Sequence, residues 1–275
     1  MNMPYANALL AWRAEMDSNL KAPYSWLSLA GLFWLDPGSN LIGSGEDCPI
    51  RLPERFPERA GEFVVADDVV SFRANGNTVF NFNDTGRVSS EKILSPDISG
   101  TPDYLFLEDI RLGYIVRDGK PAIRIWDPQN PRREGFESRK WFEINPKLRI
   151  EATVNIYADP KKVMVDDIVG FKHEASMDAN LAFEYEGNNF TLDAEKMESG
   201  AYYIIFKDNT AIGATYPSGR YMVTEIADDN KVVIDFNRAY NPPCAFTDFA
   251  TCPLPRPENI LPYNIEAGEK YEMKT

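Results

Sequence analysis

The chain has 275 residues, of which 44% are apolar and 26% charged, and a formal net charge of -13. That length accommodates one large domain or two smaller ones, each with a proper core. The acid excess argues against a nucleic-acid partner, whose phosphates want a basic face, and no run of eighteen apolar residues offers a membrane span.

The first ten residues, Met1 to Leu10, show neither a basic leader nor a long apolar run. With only three cysteines, too few for a disulfide framework, the expected location is the reducing cytoplasm. Residues 1–22 read as one amphipathic helix. Pro4 suits a first turn, and Tyr5, Leu9, Trp12, Met16 and Leu20 recur at helical spacing before Ala22-Pro23 ends the segment. Such a stripe is expected to dock the helix onto the body of the protein.

From Pro23 onward the pattern is that of strands. Asp118-Gly119 separates two strand-like runs, Ile110–Val116 and Pro121–Trp126, as a hairpin turn would. Asn75-Gly76, Gly187-Asn188 and Asp228-Asp-Asn230 read as further hairpin turns. Leu148, Ile150, Ala152, Val154 and Ile156 alternate with polar residues and should face a core. The polar stretch Asp127 to Gly135, with two prolines and a glycine, marks a break. The expected architecture is mainly β: the helix, then two β-rich halves (23–130 and 136–275), antiparallel and sandwich- or barrel-like.

Few constellations here carry chemistry. The single histidine, His173, excludes a multi-histidine zinc site, no cysteine pair has close C-x-x-C spacing, and no Gly-x-Ser-x-Gly elbow is present. The doublets Asp67-Asp68, Asp166-Asp167 and Asp228-Asp229 lack calcium-loop spacing and read as turns. No metal or cofactor is expected. Gly43-Ser-Gly45 precedes two carboxylates that would repel a phosphate. The run Asn40–Pro53 resembles the opening hairpin of phosphopeptide-binding forkhead-associated β-sandwiches. It has neither the arginine after the glycine nor a later Ser-x-x-His, so the resemblance implies a sandwich shape and no phosphopeptide function.

The stretch from Asp235 to Tyr263 is different. It gathers six prolines, two cysteines, Arg238, Asn237 and Asn241, a composition that suits an ordered loop clamped on a scaffold. Alternation through Lys231–Phe236 puts Val232, Ile234 and Phe236 on one face, so Asp235, Asn237, Arg238, Tyr240 and Asn241 emerge together at a strand end. Arg238 offers a planar fork for a carboxylate or phosphate, and the asparagines offer donors and acceptors. The bland alternative is that Arg238 pairs with Asp235 and the asparagines cap the Asn241-Pro-Pro turn.

Trp26–Leu35, Gly219-Arg-Tyr221, Asp235–Thr247, Ala250–Pro255, Pro257–Pro262 and Glu266–Lys270 together closely resemble the prokaryotic family catalogued as domain of unknown function 1684. The resemblance runs from about Trp12 to the C-terminus and implies no activity. Many relatives carry a histidine where this chain has Phe33, which further weakens histidine chemistry.

The favoured expectation is a binding module for a small anionic metabolite. Arg220, Arg238, Asn237 and Asn241 would hold the anion, Tyr240, Trp141 and Phe246 would wall the site, and the proline loop would line a cleft between the halves. The first alternative is a hydrolase or transferase with Asp235 as base or Cys244 as nucleophile, the thiol being activated by Arg238. The second is a structural or interaction role without a small-molecule site. Oligomeric state is not legible.

Overall fold

Tyr5, Leu9, Trp12, Met16 and Leu20 do share one side of a helix, α1 (Met3–Leu20). Leu9 and Leu20 are buried, and Arg13 turns inward with them at 8% exposure. The structure is a computed structural model that describes residues 3–83, 86–88, 91–228 and 230–272. Mainly β beyond α1, it divides into two units: Leu20–Phe136, and Met1–Asn19 with Glu137–Thr275.

The Leu20–Phe136 unit contains β1 (Leu29–Trp34), β2 (Gly38–Gly43), β3 (Ile50–Arg51), β4 (Gly61–Ala66), β5 (Val69–Ala74), β6 (Asn81–Phe82), β7 (Lys92–Ile93), β8 (Tyr104–Leu107), β9 (Ile110–Arg117) and β10 (Lys120–Trp126). They form two sheets, ordered β1-β10-β9-β8-β6 and β3-β2-β4-β5-β7. Ile42, Phe63 and Phe72 from one sheet and Leu105, Leu112 and Ile123 from the other share one buried cluster, so this unit is a sandwich. Two-residue turns close its hairpins. Asp67-Asp68 joins β4 to β5 at φ 49° and 62°, and Asp118-Gly119 joins β9 to β10 at φ 49° and 71°. Asn75-Gly76 does turn the chain, but it leads from β5 into β6, which belongs to the other sheet, so it closes no hairpin.

The second unit adds β11 (Arg149–Asp166), β12 (Lys172–Tyr185), β13 (Asn188–Lys196), β14 (Tyr202–Asp208), β15 (Arg220–Val223), β16 (Lys231–Asp235) and β17 (Ile260–Leu261) to α1. The sheet order is β15-β14-β13-β12-β11-β16, with β17 parallel to β14. The Glu225 N–H donates to the Val233 carbonyl at 3.2 Å, so the stretch after β15 meets β16 and the sheet curls toward closure. The β12–β13 turn is Glu186-Gly187, one residue earlier than the pattern predicts, with Tyr185 opposite Asn188. At the next predicted turn Asp228 bridges Lys231, while Asp229 lies outside the described residues.

The alternation holds at Leu148, just before β11, and at Ala152 and Val154 within it, all of them buried. It fails at Ile156, which is 67% exposed. The register against β12 slips between Ile156 and Lys161, and a bulge there turns the strand away from the core. The expected inward face of β16 is present, with Val232, Ile234 and Phe236 at 3%, 0% and 0% exposure.

Candidate functional site

At the end of β16 the chain makes a 3-10 turn, Phe236–Arg238, capped by Asp235, whose Oδ1 accepts the Asn237 N–H at 3.1 Å. The same oxygen accepts the Asn237 side-chain amide at 3.0 Å. The Tyr5 hydroxyl reaches across from α1 to both carboxylate oxygens, at 2.8 and 3.0 Å. Burial, then the bond to Asp235, pushes the Tyr5 phenol above its ordinary range. Asp235 is 1% exposed and its oxygens are taken, which removes it as a free general base. A Tyr5→Phe variant strips one donor from a buried carboxylate. It should cost about 2 kcal/mol, read as a lower denaturant midpoint.

Asn237 is fully buried and also ties the strand end to Asn145, accepting its N–H at 2.8 Å and donating to its carbonyl at 2.9 Å. It is a frame residue and presents nothing to a ligand. Arg220 is likewise withdrawn, at 1% exposure. It donates to Asp208 at 2.6 Å and to the carbonyls of Ile265 and Ala267. Asn241 is 4% exposed; its N–H goes to Glu269 at 2.8 Å and its amide to the Lys270 carbonyl at 2.9 Å. Trp141 stands edge-on to Trp12 at 5.6 Å, with the Arg13 guanidinium 4.6 Å over its ring. The Phe246 ring is occupied by the Arg139 guanidinium at 4.7 Å. Both asparagines therefore serve the scaffold, though not by capping the Asn241-Pro-Pro turn: they tie the loop to Asn145 and Lys270, because a loop lying on a sheet must satisfy its backbone internally.

Arg238 and Tyr240 remain. Together with Trp12 and Met16 of α1, Val223, Thr224, Glu225 and Ile226 after β15, and the edge of Asp235, they line a cleft of about 760 Å³ inside this unit. Arg238 keeps 32% of its side chain exposed. Its guanidinium lies 5.1 Å over the Trp12 ring, and Nε sits 3.7 Å from Asp235. Its two terminal nitrogens have no hydrogen-bond partner among the described residues. Tyr240 is held by paired backbone bonds to Tyr221, both 2.9 Å, and burial pushes its phenol up to about 12, so it stays a neutral donor. Met16, Val223 and Ile226 were not legible as cleft residues, because nothing in the helix stripe or the strand marks which apolar positions stay partly or largely uncovered.

Cys244 is half-buried, and its thiol is held below the ordinary range chiefly by a hydrogen bond from Cys252, not by Arg238. His173 lies elsewhere. It lines a smaller hollow of about 80 Å³ with Glu195, Tyr203, Asp193 and Arg256. Among the described residues, no helix is long and apolar enough to cross a membrane.

No curated protein matches the chain. Among solved structures it is similar to an uncharacterized protein from gene locus rrnAC0354 of Haloarcula marismortui. The two are 30% identical over 52% of this chain and 81% of that one, with a TM-score of 0.44. Two forkhead-associated (FHA) domain structures also match, each at 22% identity and a TM-score of 0.25 over 34% of this chain. One is the FhaA FHA domain complexed with the intracellular domain of Rv3910, matched over 96% of its length. The other, from a study of phosphothreonine-dependent FHA interactions, is matched over 92%. At those scores the likeness carries no argument about this chain. Residues 134–270 match the family model described as "Protein of unknown function (DUF1684)", and this chain belongs to that family.

Proposed function

We propose that the chain binds a small organic anion, carboxylate- or phosphate-bearing, in the cleft floored by Arg238. The observation that carries this reading is the state of that arginine. Its neighbours Arg220, Arg13 and Arg139 are each engaged by carbonyls or carboxylates, whereas Arg238 leaves two planar donors facing a cavity of metabolite size. Trp12, Met16, Val223 and Ile226 supply apolar walls for the body of a ligand, and Tyr240 and Thr224 supply hydroxyls. Glu225 and Asp235 at the margin favour a ligand with one anionic group and a largely apolar body over a polyanion.

A hydrolase or transferase reading has less support, since Asp235 is spent on Tyr5 and Asn237. The test is a thermal-shift screen of monocarboxylates and phosphomonoesters on the full chain. A true ligand at about a hundred times its Kd should add about 2.7 kcal/mol, or roughly 5–10 °C in Tm. That gain should vanish in Arg238→Ala while the unliganded Tm changes little. A panel that leaves Tm unmoved, or shifts both proteins equally, overturns the reading.

A further inference from the structure

The two cysteines of the proline-rich loop, eight positions apart and matching no spacing motif, meet in space. Cys244 is the middle residue of a 3-10 turn, Pro243–Ala245, whose backbone bonds run from Ala245 to Pro242 and from Phe246 to Pro243. The Cys244 N–H is left over, and it donates to the Cys252 sulfur at 3.2 Å. Both ends of the loop are fixed. The Tyr216 hydroxyl holds the Cys244 carbonyl at 3.0 Å. The Tyr221 hydroxyl holds the Pro253 carbonyl at 2.8 Å, and Ile168 N–H holds the Cys252 carbonyl at 2.9 Å. Disulfide chemistry requires two sulfurs within reach on a held backbone, and here the Cys252 sulfur sits 3.2 Å from the Cys244 backbone nitrogen inside a loop clamped at both ends.

We propose that Cys244 and Cys252 form a reversible dithiol–disulfide pair oxidised by small hydroperoxides. Their surroundings divide the labour. Cys244 is half-buried and reachable by a peroxide, and the bond from Cys252 favours its thiolate. Cys252 is 4% exposed, packed with Tyr221 and Ala250, and is the resolving thiol. In the first step the Cys244 sulfur attacks one peroxide oxygen and the O–O bond breaks. The departing hydroxide takes the thiol proton as water and leaves a sulfenic acid. In the second, the Cys252 sulfur attacks the Cys244 sulfur, the S–O bond breaks, and a second water leaves with the Cys252 proton. In balance, two thiols and one hydrogen peroxide give one disulfide and two waters, and an external dithiol reverses the change. Cys48 has no such partner: it is 3% exposed, its sulfur bonds the Glu58 carbonyl at 3.2 Å, and burial pushes its thiol up.

The test uses the reduced full chain, treated with hydrogen peroxide, then denatured, alkylated with N-ethylmaleimide and weighed intact. The expected product is lighter by about two mass units before alkylation. It takes one alkylation, at Cys48, in place of three. A peptide map should join the Cys244 and Cys252 peptides, and dithiothreitol should restore three alkylations. In Cys252→Ser a dimedone adduct should accumulate on Cys244. Three alkylations after oxidation, or a sulfinic acid on Cys244 of the wild-type chain with Cys252 still free, overturns the proposal. The wild-type map decides the matter even if the variant folds poorly.

Discussion

Removing Asp208 should be among the most damaging single changes in the chain. Asp208 and Arg220 are each 1% exposed at the side chain and meet at 2.6 Å. Oδ1 of Asp208 also accepts the Thr210 N–H at 2.9 Å, its hydroxyl at 2.6 Å and the Ile265 N–H at 3.2 Å. The pair thereby pins residues 265–267 against the end of β14. In Asp208→Ala the guanidinium stays buried without a counter-charge, and burial, already the dominant pull on Arg220, goes unopposed by its carboxylate. A loss of about 3–5 kcal/mol is expected, read as a fall in the denaturant midpoint followed by a probe within the β11–β17 unit. Arg220→Lys should not restore function to the clamp, since one ammonium cannot span a carboxylate and two carbonyls held in planar array. Replacing both residues by Leu and Met should cost far less than either single change, because the charge is then removed rather than stranded. Equal losses in single and double variants would show that the packing, not the ion pair, holds the segment.

The same residue shows where sequence runs out. Gly219-Arg-Tyr221 is a visible motif, and an arginine beside a glycine invites a ligand. Its actual partners are Asp208, Ile265 and Ala267, and nothing local encodes those distances. The periodic features were legible for the opposite reason. The α1 stripe, the Val232–Phe236 face and the Asp118-Gly119 hairpin each depend on neighbours within a few residues, and each is present. Ile156 broke its pattern because a bulge is a two-strand property, invisible in one strand. In the site, Arg238 and Tyr240 were legible as side chains leaving one strand end. That Trp12 and Met16 would face them, and that Cys252 would reach Cys244, required the fold.

Lowering the pH from 8 to 5 should stabilise this protein, and Glu269 should account for much of the gain. Glu269 is 2% exposed and faces Arg139 at 2.9 Å and the Asn241 N–H at 2.8 Å. Both partners favour the charged form. Burial outweighs them and pushes the carboxyl up to about 7, from 4.5 in the unfolded chain. The folded state therefore holds the proton more tightly than the unfolded state does. The associated stability is complete below pH 4.5 and is lost as pH climbs through about 7. That gap corresponds to about 3 kcal/mol, or roughly 6–12 °C in Tm for a unit of this size. General relief of the -13 charge acts in the same direction on acidification, so the slope must be compared with that of a variant. Glu269→Gln keeps an oxygen for Arg139 and Asn241 but cannot titrate. Its Tm should lie lower at acid pH and vary less between pH 5 and 8. Parallel curves for the two proteins would mean that Arg139, itself 6% exposed at the side chain and only 3.7 Å from Asp17, keeps Glu269 ionised throughout. The buried Arg139–Glu269 pair would then be a permanent ion pair that fastens the C-terminal segment to Asn241 and α1.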